Sequence, residues 1–148
     1  MNRFKRLNSE IAVSPQLSVE DVKEAARQGF RYIINNRPDG ESPNQPAGSV
    51  IEAAAKEEGL GYIAIPVRAG GLDEKAVVAM AETLKKADKP ILAYCFSGTR
   101  SAFLWALASA ATGESEADIL FAEAANAGYD LSPIMALVDS LSESAQAK

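Results

Sequence analysis

The segment Ile91-Leu92-Ala93-Tyr94-Cys95-Phe96-Ser97-Gly98-Thr99-Arg100-Ser101 combines the residue types that anion chemistry requires. An apolar run ends on Cys95, the only cysteine, and four residues separate it from Arg100, where a helical pattern starts. Apolar run, small-residue turn and helix in that order predict a strand feeding a tight loop. The backbone N–H groups of such a loop gather above a helix N-terminus, which holds an anion and favours the thiolate form of a neighbouring thiol. Ser97, Gly98 and Thr99 let the backbone wrap a ligand, and the planar fork of Arg100 suits a tetrahedral oxyanion. A lone cysteine is more often an inert core residue. Here its place at a strand end, beside a permissive loop and an arginine, argues for a nucleophile, with residues 96–100 binding the anion.

The chain has no histidine. Ser-His-Asp and Cys-His pairs are therefore excluded, as are zinc sites built on His or on several Cys. The chemistry falls to Cys, Asp/Glu, Lys/Arg, Tyr, Ser/Thr and backbone. No acidic cluster suggests an oxygen-ligated metal, so neither metal nor cofactor is expected.

The elements that must position the loop follow from apolar period and capping residues. Residues 11–13 form a β-like run before the Ser14-Pro15 turn. Ser18 N-caps a helix over 19–28, which Gly29 stops. Residues 32–34 read as a buried strand, followed over 35–46 by a long segment dense in turn formers. Ser49 and Glu52 have the spacing of a capping box for a helix to about residue 58. A strand over 62–65 ends at Pro66, and Arg68-Ala69-Gly70-Gly71 is a flexible loop. Asp73 then caps a helix to about residue 87, and strand 91–94 leads through the cysteine loop into a helix over 99–111. Two further helices are expected near 115–127 and 133–142. Strands alternating with helices predict an α/β fold: one domain over residues 1–148, with a mainly parallel central sheet covered on both faces in three layers. Ligands of such sheets bind beyond the carboxyl ends of the strands. There, residues 35–46, 66–72 and 96–99 should meet.

At 148 residues the chain is long enough to bury one core. Its net charge of −5 argues against a nucleic-acid partner. The one basic run, Arg3-Phe4-Lys5-Arg6, reads as a solvated N-terminal segment. No apolar stretch is long enough to span a bilayer, and no apolar segment follows the N-terminal basic residues as in a signal peptide. With a single cysteine, the expectation is a cytoplasmic protein without membrane contact, although a mature exported chain would read the same way.

Tyr94-Cys95-x-Ser97-Gly98-Thr99-Arg100-Ser101, preceded by Pro90-Ile91-Leu92-Ala93, resembles the signature of the bacterial beta-lactamase-hydrolase-like, phosphatase-like domains. Asn36-Arg37-Pro38-Asp39-Gly40-Glu41 with Gln45-Pro46, Tyr62 to Val67, and Val13-Ser14-Pro15-Gln16-Leu17 resemble further segments of that family. The resemblance implies the fold of the cysteine-dependent dual-specificity and tyrosine phosphatases. It also implies a phosphocysteine on Cys95 and a phosphate held by the N–H groups of Phe96, Ser97, Gly98, Thr99 and Arg100. Arg100 would be bidentate, and Ser101 would stabilise the departing thiolate. The implied partner is a small anionic substrate.

The chain departs from tyrosine phosphatases in having one residue fewer between Cys and Arg, Tyr94 where they place histidine, and apolar Phe96 where many relatives are basic. Their general acid lies on the loop matching residues 67–72, which here carries no acid. Asp73, whose simpler role is helix N-cap, and Asp39 and Glu41, from the other loop, are the candidate donors. Arg37 and Arg68 are candidate anion contacts, with a loop brace and a solvated surface as their simpler readings. The shorter loop also resembles that of rhodanese-type sulfurtransferases, which carry a persulfide on cysteine and need no acid. Phosphomonoester hydrolysis is thus expected first, sulfur transfer second, and a non-catalytic anion-binding or regulatory domain third.

Overall fold

The computed structural model describes residues 3–68 and 70–147; Ala69, in the expected Arg68-to-Gly71 loop, lies outside the described residues. The elements run in chain order β1 (Lys5–Arg6), β2 (Ile11–Ser14), α1 (Val19–Arg27), β3 (Tyr32–Asn35), α2 (Gly48–Glu57), β4 (Gly61–Ala64), α3 (Glu74–Lys86), β5 (Ile91–Tyr94), α4 (Thr99–Thr112), α5 (Ala117–Asn126), a 3₁₀ turn (Ser132–Ile134) and α6 (Met135–Gln146). The sheet order is β1-β2-β5-β3-β4, and every pairing except β1–β2 is parallel. This is the three-layer α/β architecture that the alternating pattern predicts.

Topology puts the cysteine strand in the middle. β5 pairs Leu92 with Ala12 of β2 on one side and with Ile33 of β3 on the other. The chain moves outward from β2 through β3 to β4, then returns across β3 to insert β5. Right-handed crossovers that reverse direction must switch faces. Accordingly α1 and α2 pack with Ala12, Ile33, Leu92 and Tyr94 on one face, while α3 to α6 pack with Ile11, Val13, Ile34, Ile91 and Ala93 on the other. The period-two alternation of β5 therefore sends Tyr94 to the α1/α2 side and the next residue, Cys95, to the α4 side.

Helix α4 is buried nearly all round, from Ser101 through Ala110, with α3 on one side and α5 and α6 on others. That explains a sequence with almost no polar face. Leu104, Trp105 and Ala108 are core, as their spacing implies. Among the described residues no helix is long and apolar enough to cross a membrane.

Local signals differ in how well they survive folding. Ser18 and Asp21 close a reciprocal capping box on α1, the Asp21 N–H donating to Ser18 Oγ at 3.1 Å and the Ser18 N–H to Asp21 at 2.9 Å. Asp73 Oδ1 accepts the Ala76 N–H at 2.8 Å and caps α3. The Ser49/Glu52 box expected for α2 is not formed. The helix starts two residues earlier, at Gly48 with Ala47 as its N-cap, and Asp39 from the preceding loop accepts the Gly48 N–H at 2.8 Å. Gly48 suits this position because a Cβ there would meet Asn35 Nδ2 at 3.0 Å and Tyr62 Oη at 3.1 Å. Asp39→Ala is expected to cost about 1 kcal/mol, read as a lower urea midpoint at unchanged slope.

The N-terminal basic run is also not simply solvated. Lys5 and Arg6 form an antiparallel edge strand on β2, Phe4 is buried, and the Arg6 guanidinium lies 4.7 Å from the Phe30 ring centroid. A two-residue strand of exposed side chains carries no period, so only pairing reveals it.

Candidate active site

Between β5 and α4 the backbone turns its carbonyls outward. Phe96 O accepts the Gln16 N–H at 3.2 Å, and Ser97 O accepts the Tyr129 hydroxyl at 3.2 Å. The Cys95 N–H reaches Ser14 O at 3.4 Å. With these two carbonyls engaged, the loop's amides are left for other partners. The Gly98 N–H donates to Cys95 Sγ at 3.1 Å, a contact that stabilises negative charge on sulfur. The N–H groups of Phe96, Ser97, Arg100 and Ser101 have no acceptor among the described residues. These donors crowd the head of a 14-residue helix, whose dipole adds partial positive charge.

Gly98 makes the turn possible. Its φ is +93°, in the left-handed region, and a Cβ there would run into Tyr129 Oη. Tyr129 stays protonated, its phenol pushed up first by burial and then by the negative charge of a Cys95 thiolate. It is therefore a donor to the loop. Ser97 Oγ and Thr99 Oγ1 lie 3.0 Å apart and tie the loop's crown together.

Arg100 leans across this cradle under close control. Its Nη1 donates to Glu41 Oε2 at 2.6 Å and to the Val67 carbonyl at 2.7 Å, and its Nη2 donates to Glu41 Oε1 at 2.8 Å. Glu41 in turn accepts from Arg37 Nε at 3.0 Å. The Arg37 side chain is only 4% exposed, anchored on Gln16 Oε1 and Ser42 Oγ. Hydrogen bonds from Arg100 foremost, and from Arg37, hold the Glu41 carboxyl below its ordinary range against the opposing effect of burial. Arg100 is pushed up, first by Glu41 and further by Cys95.

The three expected loops thus meet: residues 35–46 through Glu41, 66–72 through the Val67 carbonyl, and 96–99 as the cradle. Arg37 stacks 5.0 Å from the Phe96 ring centroid and braces the loop rather than facing the anion. Phe96 itself is 63% exposed at the mouth. Arg68 is exposed; its carbonyl accepts the Gly71 N–H at 2.8 Å, and its side chain makes no hydrogen bond among the described residues. Ser101 is buried, and its hydroxyl donates to Asn36 Oδ1 at 2.8 Å. Asn36 Nδ2 donates in turn to the Ile65 carbonyl at 3.0 Å. Asp39 and Asp73 are both engaged at helix heads, on the Gly48 and Ala76 amides. Tyr94 packs on the opposite face, where burial pushes its phenol far above the usual range and keeps it neutral. Among the described residues no cluster of metal-ligating side chains occurs.

Gln16, Asn36 and Tyr129 also belong to this site. Gln16 and Asn36 lie in segments that carry the family resemblance, which gives neither a role, and Tyr129 has no sequence signal; their roles arise from contacts across the fold.

The model of the beta-lactamase hydrolase-like protein, phosphatase-like domain matches residues 3–112, which include every element that builds the cradle except Tyr129. The chain belongs to this family. A beta-lactamase hydrolase-like protein of Xylella fastidiosa strain 9a5c is 36% identical over 129 residues, 87% of this chain. The match spans 30% of that relative's length. The crystal structure of a candidate phosphatase from Neisseria meningitidis Z2491 superposes with a TM-score of 0.83 at 31% identity, covering 95% of this chain and 99% of that one. A TpbA variant from Pseudomonas aeruginosa, crystallised with phosphotyrosine, gives a TM-score of 0.67 at 14% identity, covering 99% and 91%. At that identity the likeness is one of fold, and the fold is that of the dual-specificity and tyrosine phosphatases. Both the family and the architecture implied by the cysteine-loop motif are therefore borne out, and the chain is a phosphatase-like domain.

Proposed function

We propose that this domain hydrolyses small phosphomonoesters through a phosphocysteine on Cys95. One observation carries the reading: the loop whose Gly98 N–H donates to the Cys95 sulfur holds four further backbone amides without acceptors. In the proposed reaction the Cys95 thiolate attacks phosphorus, an S–P bond forms, and the P–O bond to the leaving group breaks. Residues 96–101 supply amides to the equatorial oxygens, and Arg100 holds two of those oxygens. Such preorganised donors stabilise charge where it develops in the transition state. Water then cleaves the S–P bond, releasing phosphate and restoring the thiolate. Ser101, held by Asn36, sets the amide at the base of the cradle.

Proton donation to the leaving group is the weak part of this site. Glu41 is kept ionised by two arginines, and we assign the role to neither Asp39 nor Asp73, whose carboxylates serve the heads of α2 and α3. Leaving groups that depart as stable anions should therefore react well. We expect kcat/KM for an alkyl phosphate to lie about 10²- to 10⁴-fold below that for nitrophenyl phosphate, the usual worth of a positioned acid. Equal rates for the two would show that a donor operates.

The deciding experiment offers the protein nitrophenyl phosphate in one assay and thiosulfate plus cyanide in another, with acid-quenched samples taken for mass spectrometry. Nitrophenol release with a phosphoryl adduct on Cys95 supports hydrolysis. Thiocyanate formation with a persulfide on Cys95 would overturn it in favour of sulfur transfer. Inactivity in both assays would leave an anion-binding domain.

A further inference from the structure

Counting the donors of Arg100 shows which part of it can receive a substrate. A guanidinium has five N–H bonds. Both Nη1 hydrogens are used, on Glu41 Oε2 and on the Val67 carbonyl, and one Nη2 hydrogen is used on Glu41 Oε1. The Nε–H and the second Nη2–H have no oxygen acceptor among the described residues, and the side chain's further interaction is with Cys95, the residue over which an oxyanion would sit. Those two bonds point in parallel along one edge of the planar group, a spacing that fits two oxygens of one oxyanion.

We propose that Glu41 is a positioning residue for the anion site: it grips the end of the Arg100 guanidinium so that the free Nε–Nη2 edge is presented to the oxyanion over Cys95. This rests on the reading of residues 95–101 as an oxyanion cradle. Glu41 is itself fixed from behind, since its Oε1 also accepts from Arg37, which is anchored on Gln16 and Ser42. Arg37 thereby reaches the anion at one remove, through Glu41 and Arg100. Its positive charge also offsets the repulsion that a carboxylate beside an anion site exerts. A long arginine side chain loses considerable freedom when an oxyanion immobilises it, and a clamp that has already ordered it lowers that cost at binding.

The opposite role for the same contact is competition, with Glu41 occupying Arg100 in place of substrate. The two roles predict opposite signs. Glu41→Gln removes a negative charge, which by electrostatics alone should tighten anion binding. Loss of a positioning contact should weaken it.

Sulfate is the probe, because it keeps its dianionic charge across the range used and binding it needs no turnover. Titration calorimetry on the full chain should show Glu41→Gln binding sulfate about tenfold more weakly than wild type, the scale of one charge-assisted contact. Glu41→Asp, which keeps the charge on a shorter arm, should recover part of the loss. In an Arg100→Lys background the Glu41 substitution should have little further effect, because its action passes through the guanidinium. A pH series adds a readout that general loosening would not move. Glu41 titrates below its ordinary value of 4.5, so the clamp is complete above that pH and is lost as pH falls through the depressed value. Wild-type sulfate affinity should drop over that window while that of Glu41→Gln does not.

Equal or tighter sulfate binding by a Glu41→Gln protein with a native melting transition would overturn the proposal. So would an undiminished Glu41 effect without Arg100. If Glu41→Gln fails to fold, Glu41→Asp decides the question: affinity at or above wild type overturns the proposal, and an intermediate loss confined to proteins containing Arg100 supports it. Sulfate binding of the predicted pattern without nitrophenol release would overturn the hydrolysis reading and leave the role of Glu41 standing. A wild-type chain that binds no sulfate would overturn both.

Discussion

Cys95→Ser is expected to lower turnover of nitrophenyl phosphate by at least about 10³-fold while leaving sulfate binding within a few-fold of wild type. The asymmetry follows from how the site is built. In the proposed mechanism anion affinity comes from the amides of residues 96–101 and from Arg100, and apart from the Gly98 N–H these are positioned by groups other than sulfur: the outward carbonyls are held by Gln16 and Tyr129, and the arginine by Glu41 and Val67. Nucleophilicity, by contrast, belongs to the thiolate alone, since a serine hydroxyl stays protonated near neutral pH and no histidine exists to activate it. Serine Oγ can still accept the Gly98 N–H, so the loop should keep its shape. Initial rates and calorimetry on the same two proteins test both halves. A Cys95→Ser variant retaining a tenth of the rate would remove the sulfur from the mechanism.

Gly98→Ala is expected to destabilise the protein by about 2 kcal/mol and to lower kcat/KM by roughly 10²-fold. Two causes add. A φ of +93° is strained for any residue with a Cβ, at a cost of roughly 1–2 kcal/mol, and the new methyl collides with Tyr129 Oη. Both are relieved only if the loop or Tyr129 moves, and either movement displaces amides that must converge on one anion. Tyr129→Phe alone should cost about 1 kcal/mol for the lost bond to Ser97 O. Combined with Gly98→Ala it should cost less than the sum, because it removes the atom that the methyl meets first. Urea unfolding and steady-state kinetics on the four proteins provide the cycle. Wild-type stability in Gly98→Ala would contradict the left-handed turn.

The charge pattern around Arg100 illustrates why parts of the site escape sequence reasoning. Glu41 and Arg100 lie 59 residues apart, and the spacing between them carries no information. As a sequence feature Glu41 reads as one more acid in a polar loop, and its chemistry suggests a proton donor. In the fold two arginines reach it, and the same carboxylate becomes a fixed anion. Asp39 undergoes a comparable change: a turn residue in the sequence, it takes the helix-capping role that local spacing gives to Ser49, because the loop returns across the head of α2.

What the order of residues determined by itself is local and periodic. An apolar run ending at Cys95, a glycine within the next few positions, and a helix from Thr99 place a thiol above a helix N-terminus whatever the rest of the chain does. The alternation of strands and helices then dictates a mainly parallel sheet. Both follow from interactions between residues a few positions apart, where geometry is nearly independent of context. Only the tertiary structure decided which groups close the site. Orphaned amides, carbonyls and guanidinium N–H bonds take whatever partner packing brings within 3 Å or so. Inserting β5 between β2 and β3 brought Gln16, Asn36, Glu41 and Val67 to the cysteine loop, and packing α5 against α4 brought Tyr129.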